Sequence, residues 1–368
     1  MKNTYNISLT ASTNLSPNCS DNQKKRKLKF GIVGAGTIAQ AYVQAFELCE
    51  EAEVVGVADI SAEAAGATAK RLRCRSYEDY NQMARECDLD AVIICTPPVT
   101  HPDICICFLK KQIHVLCEKP LSINLQLAQE MVITARKARV KLAMASKFRY
   151  VEDVVRAKRI VDSGALGDLI LCENVFTSHV DMSARWNSIP EISGGGVLID
   201  NGTHSIDLMR YFLGPLARVH VLEGKRSAGL RVEETVVVFV RSAAGVIGSI
   251  DLSWIITKER DSYLDIYGSR GTLSIGWKQS KYLDHAHGEW VVFGNGYNKL
   301  AAFRSQIENF SRAIRGEEVA LITDEDALAS VSVVETAYAA LRQNQWISVN
   351  GHWTIPDVQA EFVQRVSA

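Results

Sequence analysis

The sequence has almost no net charge: 41 lysines and arginines stand against 42 aspartates and glutamates, a formal charge of −1. A chain so balanced has no global field to draw in a polyanion, so nucleic acid is excluded as an electrostatically steered partner. No apolar run approaches the roughly 20 residues that span a bilayer, so no membrane partner is expected. There is no CxxC pair. The nine cysteines are scattered, with only Cys105 and Cys107 close together, and no secretory apolar stretch precedes the first basic cluster. These absences point to reduced thiols in a cytoplasm and to small-molecule chemistry. No internal repeat is apparent.

What is present is ordinary for a globular chain: 47% hydrophobic and 23% charged residues over 368 positions, enough for two domains without disulfides or metal. Residues 1–27 are rich in Asn, Ser, Thr and Lys, lack amphipathic periodicity and read as a mobile tail. The basic run Lys24 to Lys27 within it reads as solvated. The remainder divides into 28–148 and 149–368.

The segment KLKFGIVGAGTIAQAYVQAF is a short apolar strand, a Gly-x-Gly-x-x-Ala turn and a helical stretch. A dinucleotide site needs that order: Gly34 for the tight turn, Gly36 for backbone approach to a pyrophosphate, and small Ala39 for close helix packing. Phosphate oxygens would sit on free amides at the helix start, at Thr37 and Ile38. A second apolar strand, AEVVGVADI, ends in Asp59, where a carboxylate binds the adenosine ribose hydroxyls and repels a 2'-phosphate. NAD is therefore expected over NADP. The competing reading of Asp59 is an N-cap for the helix that follows it.

Strand and helix alternate to about residue 148, as a doubly wound parallel sheet requires. Ligands in such sheets bind beyond the carboxyl ends of the strands, where Thr96, Pro97 and His101 fall, and then Glu118 and Lys119. Lys119, held before Pro120, could donate a proton or hydrogen bond to a substrate hydroxyl; the competing reading is a surface lysine paired with Glu118. In the second half, GGGVLIDNGTHSIDL has glycines that suggest a flexible entry to a helix ending at Gly214. Asp200 and His204 then share one helical face. A carboxylate beside an imidazole raises its basicity and orients its tautomer, as a general base needs; a structural pair remains the alternative. Asp200, His204 and Asp207 are metal-ligand types, but hydride transfer needs no Lewis acid beside Lys and His, and no metal is expected.

Taken together, GIVGAGTIA, CTPPVTH, CEKP and SGGGVLIDNGTHSIDL resemble, in order and spacing, the glucose-fructose oxidoreductase, inositol dehydrogenase and MocA group of NAD(P)-dependent oxidoreductases. The resemblance implies an α/β chain: a Rossmann domain, then an α/β domain whose open, mainly antiparallel sheet walls the site and often an oligomer interface, giving a homo-oligomer, dimer or tetramer. It implies hydride transfer between nicotinamide and a secondary alcohol of a sugar, nucleotide sugar or inositol. Lys119, Asp200 and His204 match the family's catalytic lysine and Asp-x-x-x-His pair, forming a shared proton relay. Arg149 matches a position that often faces substrate or cofactor, and Trp186 one near the cofactor; Asn187 stands where Arg is common. The rival readings are an NAD-binding regulator on the same fold, or an enzyme of a non-carbohydrate substrate such as a dihydrodiol or bilin. FRSQIENFSRAIRG and DEDALASVSVVETAYAALRQN read as two amphipathic helices closing the second domain.

Overall fold

The computed structural model describes residues 25–349. Most of the expected N-terminal tail and the last 19 residues of the expected second domain lie outside them. Two of the last three residues assigned to the tail make surface ion pairs. Arg26 donates to both Asp90 carboxylate oxygens at 2.8 and 2.9 Å, and Lys25 pairs with Glu317 at 2.7 Å.

Six strands form the first sheet: β1 (Leu28–Val33), β2 (Ala52–Ala58), β3 (Arg75–Tyr77), β4 (Ala91–Ile94), β5 (His114–Glu118) and β6 (Leu142–Ala145). All their pairings are parallel, in the order β3-β2-β1-β4-β5-β6. Between them run α1 (Thr37–Glu47), α2 (Ala62–Leu72), α3 (Tyr80–Glu86), α4 (His101–Lys110) and α5 (Leu125–Ala138). Helices cover both faces, so a central strand such as AVII is apolar throughout and buried throughout. The strand order reverses at β1 and β4, which opens a crevice at their carboxyl ends.

The chain then forms α6 (Glu152–Asp162), β7 (Leu169–Thr177), the one-turn α7 (Pro190–Ser193), α8 (Val197–Leu213) and strands β8 (Leu216–Glu223), β9 (Thr235–Ser242), β10 (Ile247–Ser253), β11 (Ser262–Gly268), β12 (Gly271–Gly276), β13 (Ser280–Asp284) and β14 (Trp290–Gly294). It continues through α9 (Lys299–Ile314) and α10 (Asp324–Gln343) to the short β15 (Ile347–Ser348). The second sheet has the order β14-β13-β12-β11-β7-β10-β9-β8-β15. Its pairings are antiparallel except β7 with β10. The expected pairing of a parallel sheet with an open, mainly antiparallel one is observed.

The last two long helices do more than close the second domain. On α9, Phe303 stacks edge-on against Tyr42 of α1 at 4.7 Å, and Phe310 packs on Phe30 of β1 at 6.4 Å. Phe303, Ile307 and Phe310 belong to the core of the first sheet, each fully buried side chain contributing about 1.5–3 kcal/mol. Amphipathic periodicity revealed the helix but not which sheet its apolar face covers. Among the described residues no helix is long and apolar enough to cross a membrane.

Candidate active site

At the end of β1 the chain turns through Gly34 in the left-handed region, φ 91°. A Cβ there would lie 2.8 Å from the carbonyl carbon of Cys95. Gly36 begins α1 with no side-chain acceptor for the first-turn amides, and a Cβ at Gly36 would meet nothing within 4 Å. Uncapped amides facing open space at a helix N-terminus fit a pyrophosphate. Asp59 closes the turn from the next strand: Oδ2 accepts from the Ala35 amide at 2.6 Å and Oδ1 from the Ser61 amide at 2.8 Å. Ser61, not Asp59, caps α2, by accepting from the Ala64 amide. The residues therefore fit a dinucleotide, with the Asp59 carboxylate fixed at the turn.

A cleft of about 790 Å³ runs from this turn to the second sheet, lined by Gly36, Thr37, Ile38, Thr96, Glu118, Lys119, Trp186, Asp200 and His204 among others. Pro97 and His101 are not on its wall. His101 is fully buried, with its ring nitrogens 2.9 Å from the carbonyl oxygens of Pro120 and Thr96. It tethers two strand-end loops instead of touching a ligand, which corrects its expected role.

Glu118 is buried. It accepts from the Tyr42 hydroxyl at 2.9 Å and from the Lys119 amide at 3.1 Å; burial pushes its carboxyl up, against the pull of the Lys119 ammonium. The Lys119–Pro120 peptide is cis. The Lys119 side chain is not a surface partner of Glu118: its Nζ donates to Asp200 Oδ1 at 2.5 Å and to the Asp200 carbonyl at 2.9 Å.

The helix carrying Asp200 is held tightly at its start. The Glu233 carboxylate accepts from the amides of Gly196 at 2.8 Å and Leu198 at 3.1 Å, and from the Tyr338 hydroxyl at 2.7 Å. A Cβ on Gly196 would fall 2.1 Å from the Glu233 carbonyl oxygen, and one on Gly195 would fall 1.9 Å from the Tyr338 hydroxyl. These glycines are present for close packing, which replaces the expected flexible entry.

Asp200 and His204 do share a face, but their expected partnership is corrected. The Asp200 carboxylate is engaged by Lys119, and His204 Nδ1 is buried with no hydrogen-bond partner. Burial, then the Lys119 and Lys147 ammoniums, hold the His204 imidazole well below the usual histidine range. It is therefore neutral near pH 7, and no carboxylate raises its basicity. His204 lines the cleft.

Arg149 does not face the cleft. It is 3% exposed and donates from Nε and Nη2 to the two oxygens of fully buried Asp207, at 2.9 and 2.7 Å, with Asp326 alongside. Burial makes this a structural pair, and it also withdraws Asp207 from any ligand set with Asp200 and His204. Among the described residues no cluster of three or more His, Cys, Asp or Glu could hold a metal.

Sequence reasoning missed Lys147, Lys299 and the aromatic wall of Phe148, Phe176, Trp254 and Trp277, all on the cleft. Phe176 lies on β7, and Trp254 and Trp277 follow strand ends directly. Lys147 had a signal, because it follows the carboxyl end of a parallel strand. Trp186 lies on the cleft in a short turn and is 40% exposed.

The family model described as an oxidoreductase family with an NAD-binding Rossmann fold, GFO/IDH/MocA, matches residues 28–146, and the GFO/IDH/MocA C-terminal domain matches residues 154–274. The chain is 25% identical over 343 residues to an inositol 2-dehydrogenase of Rhizobium meliloti, covering 88% of this chain and 99% of the relative. It is 28% identical over 335 residues to the rhizopine catabolism protein MocA of Rhizobium meliloti, covering 86% and 96%. In fold it is similar to levoglucosan dehydrogenase solved with NADH, with a TM-score of 0.81 at 19% identity and coverage of 88% and 99%. The chain belongs to the GFO/IDH/MocA family of NAD-binding oxidoreductases.

Proposed function

We propose that this enzyme uses NAD to interconvert a secondary hydroxyl and a ketone on a sugar, a sugar derivative or an inositol, with Lys119 and His204 acting on the same substrate oxygen. Bound NAD supplies the hydride acceptor or donor at its nicotinamide ring. Three donor hydrogens belong to the Lys119 ammonium, and Asp200 takes two of them. The third is free to hold the substrate oxygen and stabilise the negative charge that develops there. His204, kept neutral, accepts the hydroxyl proton in oxidation and returns it in reduction. Asp200 positions Lys119 without touching substrate. The turn at Gly34 to Ile38 would hold the pyrophosphate and Asp59 the adenosine ribose, with Thr96 and Trp186 beside the cofactor.

The observation that carries this reading is the convergence of Lys119 and His204 on one cleft with the uncapped start of α1. Support for a carbohydrate or cyclitol substrate comes from the relatives, among them an inositol dehydrogenase matched over 88% of this chain and 99% of its own length. Absorbance of reduced nicotinamide, followed with NAD across inositols, hexoses and sugar acids, tests it: turnover of a panel member supports it. NADH binding without turnover of any would point to the regulator or to a non-carbohydrate substrate. We also infer a homo-oligomer, because the outer strand of the second sheet exposes Trp290, Val291 and Val292 by 44 to 56%; sedimentation of a monomer would contradict that.

A further inference from the structure

We propose that the side of the cleft formed by Lys147 and Lys299 receives an oxyanion carried by the substrate, a phosphate or a carboxylate, and that Lys147 selects for it. This rests on the reading that the substrate is a sugar or cyclitol and narrows it to an anionic one.

Lys147 is partly buried just past the carboxyl end of β6 and lines the cleft, yet among the described residues no acceptor or carboxylate lies within bonding distance of its Nζ. Its neighbours are ring faces: Phe148 at 5.4 Å and Phe303 at 6.0 Å. Lys299, exposed at the start of α9, lies 5.9 Å from the same Phe303 ring, and among the described residues it has no ion pair. The Lys147 ammonium, held on aromatic faces, is partly desolvated. Three ammoniums therefore meet two carboxylates here, and both carboxylates are committed: Asp200 to Lys119, and Glu118 to the Tyr42 hydroxyl and a backbone amide.

The surplus charge is unfavourable until an anion arrives. Burial, with the Lys119 and Lys299 ammoniums and against Glu118 and Asp200, pushes Lys147 down to about 8, so it remains mostly charged at neutral pH. The cofactor phosphates are not the anion in question. Their uncapped amides follow β1, and β6 is three strand positions away, about 14 Å at the usual strand spacing. That places Lys147 on the substrate side of the nicotinamide.

Calorimetric titration of the NADH-loaded protein at pH 7 with inorganic phosphate, glucose 6-phosphate, glucuronate and glucose, in wild type and Lys147→Met, tests this. The expected result is tighter binding of at least one charged sugar than of glucose, by about 10-fold or more. Lys147→Met should abolish that preference and the binding of phosphate, with NADH affinity retained. The better of the two charged sugars identifies phosphate or carboxylate as the group. Equal affinity for charged and neutral sugars would overturn the proposal, as would loss of NADH affinity in a folded Lys147→Met, which would assign the lysine to the cofactor. If that variant does not fold, Lys299→Met carries the same comparison. Phosphate bound through Lys147 with no sugar turned over would keep the oxyanion site and remove the carbohydrate reading.

Discussion

The Lys119 ammonium, at the end of a strand in the first sheet, is held by a residue of the second: it donates to both the side chain and the backbone carbonyl of Asp200, at 2.5 and 2.9 Å. Replacing Asp200 by Asn keeps the backbone acceptor and removes the charge. The expected outcome is a fall in kcat of about 100-fold, the low end of what a positioned proton-transfer group supplies. The KM for NAD should stay within a factor of about three, since Asp200 holds no cofactor contact in this account. Steady-state kinetics check it; an unchanged kcat would show that Lys119 does not need this anchor.

Two glycines of similar appearance in the sequence should respond in opposite ways. Gly196→Ala drives a methyl to 2.1 Å from the Glu233 carbonyl oxygen and should destabilise the fold by about 3 kcal/mol or more, read by urea unfolding. Gly36→Ala points its methyl into open space, so stability should hold, while NADH affinity should fall because the methyl occupies the approach to the α1 amides. A Gly36→Ala protein that binds NADH like wild type would contradict the placement of the pyrophosphate.

Arg149 and Asp207 form a buried pair, so removing one leaves the other charge unpaired. Arg149→Met should cost about 3–5 kcal/mol of stability and leave the substrate KM of the folded fraction unchanged. A raised KM with full stability would restore Arg149 to the substrate site.

The NAD preference should reside in Asp59. Its carboxylate is locked to the Ala35 amide, and Asp59→Asn keeps an acceptor for that amide while removing the charge that repels a 2'-phosphate. The ratio of kcat/KM for NADP over NAD should rise at least about 10-fold, equivalent to about 1.4 kcal/mol.

Much of this is legible in the sequence. The strand-turn-helix order around Gly34 and Gly36, the alternation that specifies a parallel sheet, and the helix carrying Asp200 and His204 all follow from local pattern. Partnerships across the sequence did not. Asp200 and His204 look like a pair at helical spacing, but Lys119, 81 positions before Asp200, takes the carboxylate, and burial leaves the imidazole alone. Arg149 was drawn inward by Asp207, and Gly195 and Gly196 were packed against Tyr338 and Glu233, because tertiary packing decides which side chains meet. Lys147, two positions before Arg149, carried the strand-end signal that the more familiar residues obscured.

The pH dependence of NAD-dependent oxidation by wild type and His204→Asn tests the central claim most directly. His204 works as the proton acceptor only when neutral, and its protonation is displaced well below 6.5 by burial and by the Lys119 and Lys147 charges. The wild-type kcat should therefore show no loss from His204 protonation as pH falls to about 6.5, where an ordinary histidine would already be half protonated. The His204 limb should appear only well below that. His204→Asn should be slower by about 10² to 10⁴ and lack that acid limb, with NADH affinity retained. A His204→Asn enzyme that turns over at the wild-type rate, or that keeps the same acid limb, would contradict the assignment of His204 as the group that takes the proton.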